Sequence, residues 1–100
     1  MSTPKGQKRG VQIQIRVDDD VAQGVYANMA MVNHSDAEFT IDFVYIQPQA
    51  PQAKVRSRVI TSPRHLKRLV TALQENLARY EAKHGAVDMG VPPPEGQFKH

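Results

Sequence analysis

The sequence predicts an α+β fold, an antiparallel sheet of about four strands followed by one long C-terminal amphipathic helix. Three observations carry that expectation. Apolar side chains alternate with polar ones at period two from Val11 to Val17, and from Phe39 to Tyr45 every second residue is aromatic or β-branched. After Ser62-Pro63 the apolar period lengthens to that of a helix. Turn-forming residues separate the runs, so each reads as its own element.

In the first strand, Val11, Ile13, Ile15 and Val17 share one face, and Gln12, Gln14, Arg16 and Asp18 share the other. Asp18-Asp19-Asp20 and then Gly24 interrupt it. A second β-compatible run covers Val25 to Val32, although its alanines and methionines also suit a helix, and Asn33-His34-Ser35-Asp36 reads as a turn. The third strand places Phe39, Ile41, Phe43 and Tyr45 on one face and Val44 and Ile46 on the other, which marks it as central. Pro48 and Pro51 stiffen the next link. In the fourth strand Val55, Ser57, Val59 and Thr61 alternate with Lys54, Arg56 and Arg58, giving a cationic outer face that resists edge pairing.

Ser62 suits an N-cap because its hydroxyl can accept an orphan N–H, and Pro63 loses nothing at the first helical position. Leu66, Leu69, Val70, Leu73, Leu77 and Tyr80 then recur at helical spacing, and Gly85 stands where a left-handed cap is expected. About 22 residues give a helix roughly 33 Å long. Residues 11–85 are therefore read as one domain, with a flexible basic N-terminus at 1–10 and a flexible Pro-rich tail at 86–100. A chain of this length buries only about two thirds of its unfolded surface, so its core is thin.

Composition narrows function by exclusion. Without cysteine there is no disulfide, thiolate metal site or thiol nucleophile. No apolar run approaches the roughly 18 residues of a membrane span, so a cytoplasmic location is expected. The histidines His34, His65, His84 and His100 are spaced so that no two converge on a metal. His34-Ser35-Asp36 contains the residue types of a hydrolytic triad, but sequence neighbours do not reach that geometry, and a self-bonded turn is the expectation. Asp18-Asp19-Asp20 lacks the spaced oxygen ligands of a calcium loop, and no glycine-rich phosphate loop exists. The chain is expected to be non-enzymatic, with no cofactor.

The +3 net charge is unevenly spread. Residues 17–53 hold Asp18, Asp19, Asp20, Asp36, Glu38 and Asp42 and no Lys or Arg, whereas residues 54–84 are strongly basic. Arg64 and Lys67, with Arg68 beside them, share one helical face near the helix start, where the dipole disfavours cations. With Lys54, Arg56 and Arg58 they form a candidate basic surface for an acidic protein, a neighbouring subunit or, as the less favoured reading, nucleic acid. Nothing in the cluster resembles a base-stacking platform. One helix covers only one face of a sheet, yet the central strand is apolar on both. A homodimer or a dimer of dimers is therefore expected.

Tyr26-Ala27-Asn28, His34-Ser35 with Glu38-Phe39, Asp42-Phe43, Ser57-Arg58-Val59, Ser62-Pro63, Lys67-Arg68-Leu69, Ala72-Leu73 with Asn76, and Tyr80-Glu81 resemble the bacterial domain-of-unknown-function family 3467, over residues 20–85 with the tails outside it. The resemblance implies a small bacterial protein and supplies no catalytic residue. The layout of strands followed by one long helix is also similar to that of the tetrameric bacterial export chaperone, an analogy of fold alone. The combined expectation is a homo-oligomeric interaction or scaffold module of a chaperone-like kind, with a nucleic-acid-binding protein as the competing reading.

Overall fold

The computed structural model describes residues 11–91. The proposed basic extension at 1–10 and the end of the Pro-rich tail, from residue 92, lie outside the described residues. The order of elements is α1 (Asp19–Ala22), β1 (Met29–His34), β2 (Phe39–Gln47), β3 (Gln52–Thr61) and α2 (Pro63–His84). The strands form one antiparallel sheet in the order β1-β2-β3, so β2 is central as its two apolar faces predict.

Sheet and helix follow the α+β expectation, but the sheet has three strands where about four were expected. Residues 11–17 carry no ladder and are exposed throughout, so the expected first strand is unpaired. Asp18 instead precedes the single turn α1, its backbone carbonyl accepting the Val21 and Ala22 N–H groups while its side chain makes no cap, and Asp19 and Asp20 fall in the first turn. The second strand starts later than its sequence suggests and runs through Asn33 and His34, which pair with Thr40 and Phe39. Ladder hydrogen bonds outweigh their turn propensity. The turn itself lies at Ser35, whose hydroxyl accepts the N–H groups of Ala37 and Glu38, both at 3.2 Å.

Asn28 lengthens the β1–β2 ladder beyond the strand. Its backbone N–H donates to Val44 O at 3.0 Å, its Nδ2 donates to Ile46 O at 3.0 Å, and its Oδ1 accepts the Ile46 N–H at 2.8 Å. The side-chain amide thus stands in for a peptide unit. Nearby, Tyr26 meets Tyr45 edge to face with ring centroids 6.0 Å apart.

The β2–β3 register shifts between Phe43 and Val44: Phe43 faces Ser57, Val44 faces Val55, and Arg56 has no partner. This bulge moves Val55 onto the face of Arg58 and Ile60, so the cations of β3 do not share one outer face as strict alternation predicts. The buried core is small: Ile41 on one face of β2, and Val44 with Asp42 on the other.

The largest departure concerns α2. Its boundaries agree with the sequence, but no residue of it is buried, and it makes no more than marginal contact with any strand. Leu73 is 59% exposed and Leu77 50%. The helix is not packed on the sheet as expected.

Candidate interaction surface

The best-defined surface is built by α2, whose ends are fixed locally. The Ser62 hydroxyl accepts the His65 N–H at 3.2 Å, Ser62 O accepts the Leu66 N–H at 2.9 Å, and Pro63 occupies the first turn. At the other end Gly85 takes a φ of 97°, a conformation that costs a side-chain-bearing residue energy, and its N–H reaches Glu81 O at 2.9 Å. The Glu81 carboxylate then accepts the Val87 N–H at 2.8 Å, tying the following segment to the helix end.

At 100° per residue, Leu66, Leu69, Val70, Leu73, Leu77 and Tyr80 fall within a sector about 100° wide. Only Leu66 is half-buried, and the other five are exposed. His84 continues the stripe, its ring 4.7 Å from that of Tyr80. The stripe carries no Lys, Arg, Asp or Glu.

Arg64, Lys67 and Arg68 lie on the opposite sector, all exposed. Among the described residues no carboxylate pairs with any of them. No acidic residue occupies the first turn, so nothing on the helix offsets cations close to its positive dipole end. Thr71 and Asn76 on the polar side bond back to Lys67 O and Ala72 O, which occupies them within the helix.

The β3 half of the expected basic surface is different. Arg58 faces Asp42 across the ladder and grips it with two charge-assisted bonds, Nε to Oδ1 at 2.7 Å and Nη2 to Oδ2 at 2.9 Å. Asp42 is 1% exposed, whereas the Arg58 side chain is 56% exposed. The hydrogen bond to Asp42, and then the negative charge of that carboxylate, raise the Arg58 pKa above its ordinary value. Arg58 is thus committed to the sheet. Lys54 lies opposite Tyr45, and Arg56 sits at the bulge. The six cations therefore divide between a helix face that is unpaired and a strand in which one is taken.

The sequence placed Asp42 in the acidic block and in the Asp42-Phe43 motif without assigning it a partner; its signal is a lone carboxylate inside an apolar strand, which calls for a cation opposite. Among the described residues no group of three or more His, Asp or Glu side chains could hold a metal ion. No helix there is long and apolar enough to cross a membrane. A model of the family described as protein of unknown function (DUF3467) matches residues 1–89, which takes in the N-terminal ten residues that the motif resemblance left outside. No curated protein and no solved structure matches the chain.

Proposed function

Since the chain belongs to DUF3467, a family of proteins of unknown function, we propose from its surfaces that it is a homo-oligomeric protein-interaction module. In this reading the apolar stripe of α2 packs against a second copy, and the basic face of α2 receives an acidic protein. The observation that supports it is the stripe itself: Leu69, Val70, Leu73, Leu77 and Tyr80 are all exposed on a helix that meets little else.

Propensity contributes little to such a helix, because most helical stability in proteins comes from burying an amphipathic face. Burying each large apolar side chain is worth about 1.5–3 kcal/mol. As each is already about half covered, five on each of two copies together yield on the order of 10 kcal/mol, comparable with the cost of association. A second copy suits the stripe because it carries no charge of its own. Two stripes can meet while Arg64, Lys67 and Arg68 remain on the outer sides.

Light scattering across a concentration series tests the reading. The expected mass is a multiple of 11.2 kDa, falling to the single-chain value in the double variant Leu73→Asp, Leu77→Asp. A wild-type mass of one chain at every concentration overturns it. The basic face is tested separately by anisotropy with labelled DNA and RNA. Submicromolar binding that weakens steeply with salt would transfer that face from an acidic protein to nucleic acid.

A further inference from the structure

We infer that residues 11–17 form an edge strand exchanged between two copies, each adding to the free edge of the other copy's β1. The inference rests on the homo-oligomeric reading above and names a second contact within it. The segment has the clearest strand pattern in the chain, Val11, Ile13, Ile15 and Val17 against Gln12, Gln14 and Arg16. Yet none of its backbone groups takes part in a ladder or turn hydrogen bond, and Ile13 and Ile15 are 82% and 88% exposed. A β-branched face in that state forfeits both its burial and its backbone pairing, which a sheet edge supplies together.

Among the described residues the sheet has two free edges, β1 and β3. The β3 edge carries Lys54, Arg56 and Arg58, so an incoming strand bearing Arg16 would meet like charge. The β1 edge, Met29–His34, carries no charged residue and no proline, the devices that usually keep an edge from pairing. Its 6 residues match the seven-residue segment in length. Adding the segment there completes the four-strand sheet that the sequence pattern predicts, with the fourth strand supplied in trans. Reciprocal exchange uses the same two surfaces on both copies and so closes as a two-fold dimer instead of growing into a fibre.

The test is an isotope-filtered NMR experiment on the full chain, in which labelled and unlabelled protein are mixed and re-equilibrated. Intermolecular contacts between residues 11–17 of one chain and 29–34 of the other are expected. The Ile15→Pro variant, which lacks the N–H an added strand donates, should raise the dissociation constant at least tenfold. Its β2 and β3 resonances should stay dispersed, with shifts confined to β1, because no backbone group of the segment bonds to the described residues of its own chain. An oligomer without these contacts, or with the same contacts inside one chain, overturns strand exchange and leaves helix-stripe association standing. A chain that stays monomeric overturns both.

Discussion

The sheet and the long helix of this protein resolve their polar and apolar demands in opposite ways. In the sheet, each strand finds its partner within the next few residues of chain, the buried carboxylate is gripped by a guanidinium, and an asparagine amide extends the ladder ahead of the first residue of β1. In α2 the polar demands are also met locally, by Ser62, Thr71 and Asn76, while the apolar stripe has almost no partner among the described residues. In α2 the hydrogen bonds are settled inside the element, whereas its apolar face can be settled only against another. Each part of the comparison can be broken by experiment.

The largest effect is expected at Ile41, 7% exposed on the central strand. Ile41→Ala should cost about 2–5 kcal/mol in urea unfolding. Leu73→Ala, measured alongside at high dilution, should stay within about 0.5 kcal/mol because its side chain already faces solvent. Equal losses in both would show that the helix shares the sheet's core within one chain.

Next comes the ion pair. Arg58→Ala strips the buried Asp42 of its bidentate partner and should lower the urea midpoint in the same assay, by less than Ile41→Ala does. Arg58→Lys should recover only part of this, since an ammonium cannot present two parallel donors. The pH dependence has a definite sign: a raised pKa means that the contribution of Arg58 is complete at lower pH and is lost only as pH rises through the raised value. Loss of this contribution on moving from neutral pH to mildly alkaline buffer would contradict the assignment.

The smallest effect tests the helix alone. Ser62→Ala removes the acceptor for the His65 N–H and should cost about 1 kcal/mol of helix stability. Circular dichroism at 222 nm should show earlier fraying with little change in the sheet's unfolding. A matched loss in the sheet would mean that the two regions are coupled more tightly than their contacts indicate.

What the sequence made legible follows the same division. The alternation of Phe39, Ile41, Phe43 and Tyr45 locates β2 because local propensity and burial agree there. Ser62-Pro63 and Gly85 locate the ends of α2 because caps act within a few residues. The destination of the Leu66–Tyr80 stripe was not legible, since amphipathicity states that a face needs cover without stating what covers it. For the same reason Val11–Val17 reads as a strand while its pairing cannot be read. The bulge at Arg56 was hidden too, because one unpaired residue changes which side chains share a face without altering composition or period. The six-residue basic surface read from the sequence divides accordingly, three cations on the open side of α2 and three dispersed along β3 around the Asp42 pair.

The meander order of the strands has a kinetic consequence. Every ladder joins consecutive strands across a short turn, so the loops to be closed are short and their entropic cost is low. Such hairpins form on the microsecond scale and need no other chain, so the three strands β1–β3 can pair while α2 is still being synthesised. Any later step that joins two copies is bimolecular and slows with dilution. Refolding followed by tryptophan-free probes such as far-ultraviolet dichroism should therefore separate into an early phase independent of protein concentration and a later one proportional to it.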